Sequence, residues 1–217
     1  MRTVKHIFLF FLLFFVEQLP LTGLSIATAV VKTNQQNLII ILGVSFLVIV
    51  GLMTYLYWHL YRQTVFKNGA EFDQKLNSRT WLPLIVGFIA MFAVNAITVP
   101  FMQTSGNENV DSLATLAKSF GLFMFLFTAI FGPILEEIIF RGLFINWFFK
   151  DSRLISILLS SLVFGSVHVD LFGHVDLIYW LSKVLLGLIL ALVYNRTKNL
   201  KVPILLHILN NTLTLFL

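Results

Sequence analysis

Apolar runs of membrane-spanning length follow one another along almost the whole chain. A helix needs roughly 20 consecutive apolar residues to cross the hydrocarbon core of a bilayer. Seven such segments are predicted, at residues 6–31, 38–58, 81–103, 113–149, 154–169, 176–195 and 202–217. The strands of a membrane barrel would alternate apolar and polar residues, which these Phe-rich runs do not. The sequence therefore predicts an all-α, polytopic transmembrane helical bundle.

The composition supports an integral, multi-pass membrane protein. Hydrophobic residues make up 58% of the chain and charged residues only 12%, whereas a soluble domain carries about a quarter charged residues. The chain has no cysteine, which excludes disulfides and thiolate metal sites. No polar stretch is long enough to hold a separate soluble core. The formal charge of +5 lies mostly in short loops, so we expect the lipid bilayer, and no nucleic acid, as a partner.

The segment at residues 113–149 is too long for one straight crossing. Gly132-Pro133 interrupts it, and proline removes a backbone donor and bends a helix. We therefore predict a helix that ends near Phe131 and a second that begins at Ile134. The bundle would then have about seven crossings in eight helical pieces, with a kinked segment that carries the central charges.

Basic residues predict the orientation of the bundle. With a cytoplasmic N-terminus, eleven of the fifteen lysines and arginines fall in inner segments and only Lys32 in an outer loop, as the positive-inside rule requires. The basic start and Ala27-Thr28-Ala29 resemble a signal peptide. The apolar stretch is long, however, and is interrupted by Glu17, Gln18 and Pro20. We therefore expect an uncleaved first helix.

Three charged residues, Glu136, Glu137 and Arg141, lie inside an apolar segment. An ionised group at the centre of a membrane helix costs at least ~3 kcal/mol, so it persists only when it is paired, faces a wet cavity or has a function. Arg141 follows Glu137 by four residues, a spacing that predicts an ion pair on one helix face. Glu136 points elsewhere. It is left as a free carboxylate, which suits a general base.

Two further polar clusters lie in later segments, at residues 164–168 and 207–211. His207 and Asn211 share a helix face because they are four residues apart. Hydrogen bonding between helices explains single polar residues in membrane spans, and a purely structural role explains the pair at residues 137 and 141. Neither explains a free carboxylate together with two imidazoles. The three clusters predict a functional polar cavity.

Taken in order, the motifs Glu-Glu-x-x-x-Arg, Phe-x-x-x-His and His-x-x-x-Asn resemble those of the CPBP family of intramembrane proteases. This family, also called Abi, includes the Ras-converting CAAX endopeptidases and bacterial bacteriocin-processing or self-immunity proteins. The resemblance extends from about Phe120 to the C-terminus. It implies a catalytic helical core at residues 111–217, preceded by N-terminal transmembrane helices at residues 1–110 without a family assignment. The matching residues are Glu136, Glu137, Arg141, Phe164, His168, His207 and Asn211.

The resemblance implies an endopeptidase that hydrolyses peptide bonds within the membrane. Glu136 and His168 would activate a water molecule. His207 and Asn211 would stabilise the oxyanion of the tetrahedral intermediate. The residue types agree, because peptide hydrolysis needs a base, a held water and donors that face the developing charge.

The remaining motif residues would support these four. Glu137 and Arg141 would fix the helix and the orientation of Glu136, and Phe164 would pack near the site. The expected substrate is a peptide or a membrane protein. Resemblance to compact Gram-positive members implies the bacterial cell membrane, with a role in bacteriocin maturation or self-immunity.

Two alternatives stay open. An older interpretation of the family is a metalloprotease with Glu136, His168 and His207 as zinc ligands, and two histidines with one carboxylate are a legitimate catalytic zinc set. The chain lacks the His-Glu-x-x-His zinc signature, so we expect no cofactor. Alternatively, the same cavity could belong to a non-catalytic immunity protein that binds a peptide toxin, or could move protons along its Glu and His groups.

Overall fold

The computed structural model describes residues 2–30, 35–68, 75–102, 108–149, 151–170 and 175–214. Throughout these ranges the regular structure is helical, without a strand, which confirms the predicted all-α bundle. In the described residues, the α-helices are α1 (Arg2–Val30), α2 (Gln36–Asn68), α3 (Ser78–Thr98), α4 (Glu108–Leu126), α5 (Gly132–Glu137), α6 (Ile145–Trp147), α7 (Arg153–Ser166), α8 (Leu177–Thr197) and α9 (Lys201–Thr214). A 3₁₀ turn at Val99–Phe101 follows α3, and π-helical segments at Phe127–Phe131 and Ile138–Phe144 flank α5.

Among the residues that the structure describes, five helical stretches are long and apolar enough to cross a membrane, so the prediction of a multi-pass membrane protein is confirmed. They are Thr3–Thr28, Gln36–Val65, Thr80–Phe101, Ala114–Trp147 and Leu177–Thr197. Helices α7 and α9 have 14 residues each, a length of about 21 Å that is shorter than the ~30 Å hydrocarbon core. The number of crossings and the orientation stay predictions.

The predicted break at Gly132-Pro133 is wrong. Gly132 has helical φ and ψ of −55° and −56°, and its N–H donates to the carbonyl of Phe127, five residues back. This wider π register accommodates the proline, which in a regular helix would clash with the preceding turn. The non-helical residue of the segment is instead Phe120, with φ −124° and ψ 35°. The segment therefore kinks earlier than predicted and stays helical beside the central charges.

Helices α7 and α8 approach closely because glycines stand where they meet. A Cβ atom on Gly165 would lie 2.8 Å from the backbone nitrogen of Val184. A Cβ atom on Gly187 would lie 2.9 Å from Cδ1 of Phe164 and 3.3 Å from the backbone of Ser161. Small residues of this kind let membrane helices pack backbone to backbone. The contact holds the polar cluster at the end of α7 against α8.

We expect Gly165→Ala to lower the free energy of unfolding by about 1–3 kcal/mol, because the new methyl group must displace backbone rather than a flexible side chain. Gly51→Ala in α2 is the matched control. A Cβ atom there meets nothing within 4 Å, so this change should be neutral or stabilise by up to about 1 kcal/mol. Denaturant unfolding in detergent measures both variants. Equal stability of the two would contradict the close contact.

Candidate active site

Three polar side chains from separate parts of the chain meet in the structure. Glu136 belongs to α5, His168 follows the end of α7, and His207 lies in α9. Oε2 of Glu136 is 3.9 Å from Nε2 of His168 and 3.8 Å from Nε2 of His207. The structure thus brings together the predicted base and both predicted imidazoles.

The hydrogen bonds of the two imidazoles fix their tautomers. Nδ1 of His168 lies 2.7 Å from the carbonyl oxygen of Phe164, and Nδ1 of His207 lies 3.0 Å from Oε1 of Glu137. A carbonyl and a carboxylate only accept, so each Nδ1 donates its hydrogen. In the neutral rings, both Nε2 lone pairs therefore face the Glu136 carboxylate. Oε2 of Glu136 and the two Nε2 atoms are thus all hydrogen-bond acceptors. A molecule placed between them must donate hydrogen bonds.

The spacing of these acceptors suits a water molecule better than zinc. A water about 2.8 Å from two acceptors that lie 3.9 Å apart subtends roughly 90° at its oxygen, an acceptable bridging geometry. Ligand atoms around tetrahedral zinc lie only about 3.4 Å apart. In the described ranges, no group of three or more His, Cys, Asp or Glu side chains is arranged to hold a metal ion. The distances from Glu136 to the two imidazoles are thus longer than those between ligand atoms of a formed tetrahedral zinc site.

The ion pair expected from the spacing of Glu137 and Arg141 is present and completely buried. Nη1 of Arg141 donates to Oε1 of Glu137 at 2.7 Å, and both side chains are 0% exposed. Nη2 of Arg141 donates to the carbonyl oxygen of Gly187 at 2.9 Å. The guanidinium therefore ties α5 and its following π segment to α8.

Glu137 holds His207 rather than Glu136. Its Oε1 atom accepts from Arg141 and also from Nδ1 of His207. Neighbouring residues on a helix point about 100° apart, so Glu137 and Glu136 face different surroundings. His207 is 6% exposed, whereas Glu136 and His168 are each 24% exposed. Glu137 is thus buried against the imidazole of His207, whereas Glu136 faces the cavity.

The Phe164 ring packs between the ion pair and the imidazoles. Its centroid lies 4.4 Å from Cζ of Arg141. The ring centroids of His168 and His207 lie 4.6 Å and 5.9 Å away. The Phe164 carbonyl also accepts the hydrogen of His168, so this residue contacts His168 through both ring and backbone.

Asn211 reaches the π-helical segment before α5. Its Nδ2 atom donates to the carbonyl oxygen of Thr128 at 3.0 Å. The π register directs the N–H of Gly132 to Phe127, and Pro133 has no N–H to donate. Neither residue therefore offers a backbone N–H to the Thr128 carbonyl oxygen, which accepts from the Asn211 side chain instead. This bond uses one of the two hydrogens on the Asn211 amide nitrogen.

Two further asparagines orient Asn211, and sequence analysis assigned them no role. Nδ2 of Asn95 in α3 donates to Oδ1 of Asn210 at 2.8 Å, and Nδ2 of Asn210 donates to Oδ1 of Asn211 at 3.3 Å. Asn210 is adjacent to Asn211 in α9, and its side chain is buried. The feature of the sequence that could have indicated this contact is Asn95, an amide side chain inside the apolar run of α3.

The site opens into a cavity of about 490 Å³. Glu136, His168, His207 and Asn211 all line it. The contribution of α1 to this cavity was not predicted from the sequence. Its lining residues recur at intervals of three and four and so form one face of the helix. This cavity face of α1 consists of Phe14, Glu17, Gln18, Leu21, Thr22 and Ser25.

A family model described as type II CAAX prenyl endopeptidase Rce1-like matches residues 118–213. The matched range contains every motif residue that meets at the site. Over residues 118–213, the chain is therefore similar to this family of membrane endopeptidases. The match lies within the core predicted at residues 111–217, and the cavity face of α1 lies outside it.

The chain is also similar to several curated bacterial proteins. YdiL of Bacillus subtilis (strain 168) is 37% identical over 107 residues, which cover 49% of this chain and 41% of YdiL. The membrane-embedded CAAX protease MroQ of Staphylococcus aureus (strain USA300) is 30% identical over 139 residues, which cover 58% of this chain and 53% of MroQ. UPF0177 protein YvdC of Lactococcus lactis is 29% identical over 134 residues, which cover 60% of this chain and 50% of YvdC. The chain therefore spans about half the length of these relatives. No solved structure matches it at a significant level.

Proposed function

We propose that this protein is an intramembrane endopeptidase that hydrolyses peptide bonds with a water molecule activated by Glu136 and His168. The observation that carries the proposal is the convergence of Oε2 of Glu136 on Nε2 of His168 at 3.9 Å and on Nε2 of His207 at 3.8 Å. The match of residues 118–213 to the CAAX prenyl endopeptidase family model supports this class of reaction, as does the description of the relative MroQ as a CAAX protease.

In the proposed reaction, Glu136 first serves as general base. Its Oε2 atom takes one proton from the water, while Nε2 of His168 accepts a hydrogen bond from the other hydrogen and orients the oxygen. The water oxygen bonds to the substrate carbonyl carbon, and the carbonyl oxygen becomes an oxyanion. The intermediate then re-forms the C=O bond and breaks the C–N bond. Glu136 returns its proton to the departing nitrogen, so that water and peptide give one carboxylic acid and one amine.

His207 and Asn211 supply the donors for the oxyanion in this proposal. The Nδ1 hydrogen of His207 is held by Glu137 at 3.0 Å, so Nε2 donates only when the ring carries both protons. The Glu137 carboxylate stabilises that imidazolium through a charge-assisted hydrogen bond. The second hydrogen on the Asn211 amide nitrogen is the other donor. Each donor of this kind is worth roughly 100- to 1000-fold in turnover.

We further propose that the reaction uses no resident metal. The wide spacing of the acceptor atoms around Glu136 supports this. Activity should stay within about twofold after metal is stripped with a chelator, because general base and oxyanion donors alone supply the rate. Elemental analysis verifies removal, and a zinc protease treated in parallel is the control. Loss of activity that zinc restores would contradict the metal-free mechanism.

The substrate we propose is a peptide or a membrane protein whose cleaved segment reaches the cavity. Family resemblance extends the proposal to bacteriocin maturation or self-immunity. The test is mass spectrometry of new peptide ends after the purified protein, in lipid nanodiscs, is incubated with a peptide mixture. New ends that depend on Glu136 support the proposal. Folded protein that produces none contradicts it.

A further inference from the structure

The cavity contains a second carboxyl group, which comes from the N-terminal helix. Glu17 lies on the cavity face of α1 and lines the same cavity as Glu136. Glu17 is outside the family match at residues 118–213, so the family motifs assign it nothing. It is a property of this chain that needs its own explanation.

Glu17 is buried without a partner for its charge. The side chain is 3% exposed, and its Oε2 atom is buried with no hydrogen-bond partner in the described part of the chain. Tyr57 interacts electrostatically with Glu17, but its hydroxyl donates to the carbonyl oxygen of Leu13 at 2.7 Å. An unpaired carboxylate in a membrane interior costs several kcal/mol. A buried carboxyl group that lines the cavity and lacks a polar partner is therefore a candidate for recognition of a cation.

The α1 side of the cavity carries a carboxyl group for which the described residues supply no cation. Glu17 and Glu136 are its acidic lining residues, whereas Glu137 is neutralised by Arg141. Lys183 also lines the cavity, with its Nζ atom 5.0 Å from the ring centroid of Tyr179. Burial favours the neutral form of a carboxyl group, whereas a nearby cation favours the carboxylate. A cation that enters beside Glu17 would therefore give the buried carboxyl group its missing partner.

We propose that Glu17 is the recognition group for a cationic side chain, lysine or arginine, of the substrate peptide. This inference rests on the proposed endopeptidase activity and names its substrate class. Lysine and arginine each carry donors for the Glu17 carboxylate. Because Glu17 and Glu136 face one cavity, the contact holds the peptide beside the catalytic water.

The experiment uses quenched fluorescent peptide sets in which one position at a time is fixed as lysine, norleucine or glutamate. The full-length protein should prefer lysine over norleucine at one position by about tenfold or more in kcat/KM, the worth of one hydrogen bond to a charged group. Glu17→Gln should reduce this preference to roughly threefold or less, with the norleucine sets cleaved nearly as before. Glu17→Asp, which keeps the charge, should retain a preference for lysine.

A stability measurement separates recognition from a structural role. Removing an unpaired buried carboxylate should leave the unfolding midpoint of Glu17→Gln unchanged or higher. A residue needed for packing would lower it. Should Glu17→Gln fail to fold, Glu17→Met is the second uncharged variant, and the lysine preference of the unchanged protein is measurable without either.

Three results would overturn the inference and leave the endopeptidase proposal intact. These are cleavage without preference for a cation at any position, a preference that survives Glu17→Gln, and equal loss on lysine and norleucine sets. Failure of the folded, unchanged protein to cleave every set would instead contradict the endopeptidase proposal, and this inference with it. Glu136→Gln is the inactive control in each series.

Discussion

Replacing Glu136 with glutamine is expected to abolish peptide hydrolysis while the protein stays folded. The amide cannot accept a proton from water, and the loss of a general base lowers turnover by about 100- to 10,000-fold. The fold should tolerate the change because Oε2 of Glu136 has no hydrogen-bond partner in the described structure. The neighbouring Nε2 atoms lie 3.8 Å and 3.9 Å away, beyond hydrogen-bond distance. Measurement of kcat/KM on a cleaved peptide gives the size of the effect.

Asp151→Asn is the matched control for Glu136→Gln. It makes the same exchange of a carboxylate for an amide at an exposed position before α7, and kcat/KM should not change. The comparison also separates enzyme from toxin-binding protein. A protein that only binds a peptide toxin should still protect cells after Glu136→Gln. Turnover at the unchanged rate in this variant would remove Glu136 from the mechanism.

Replacing Arg141 with methionine is expected to destabilise the protein by about 3–5 kcal/mol, since it leaves the buried carboxylate of Glu137 without its cation. Both side chains are 0% exposed, so water cannot replace the lost partner. The hydrogen bond to the carbonyl of Gly187, 2.9 Å in length, is lost as well. Denaturant unfolding in detergent measures the change. A loss below about 1 kcal/mol, typical of exposed pairs, would show that the pair does not support the fold.

The double variant Glu137→Leu with Arg141→Met separates stability from chemistry. It removes both charges, and apolar residues of similar volume often restore the stability of a buried ion pair. The Nδ1 atom of His207 nevertheless loses its acceptor, so the imidazolium is no longer stabilised. We expect a stable protein with turnover reduced about 100-fold or more, as for loss of an oxyanion donor. Recovery of stability together with activity would contradict the role assigned to Glu137.

The bundle and the ion pair could be predicted from sequence because both depend on local spacing. Apolar runs define the helices, and residues four apart share a helix face, as Glu137 and Arg141 do. The hydrogen bond that Glu137 accepts from His207 could not be predicted in the same way. The bond between Glu137 and His207 joins residues 70 positions apart, and it depends on how α9 packs against α5. The motif order suggested a shared site but not which glutamate each histidine meets.

The kinked segment and Glu17 show where local patterns mislead. Pro133 normally indicates a break, but a π turn before it keeps the segment helical, and the same turn frees the Thr128 carbonyl for Asn211. Glu17 interrupts an apolar run, which sequence analysis used only as evidence against a signal peptide. Its position beside the site follows from the packing of α1 against the core, which helical periodicity does not determine.

Cleavage in ¹⁸O-labelled water by metal-stripped protein tests the central claim most directly, with Glu136→Gln measured beside it. We predict one ¹⁸O atom in the new C-terminal carboxyl group from the unchanged protein, and no cleavage by Glu136→Gln. That result would place a water molecule, activated by Glu136 without a metal, at the reacting carbon. Cleavage by Glu136→Gln at the unchanged rate, or activity that returns only when zinc is added, would contradict the account.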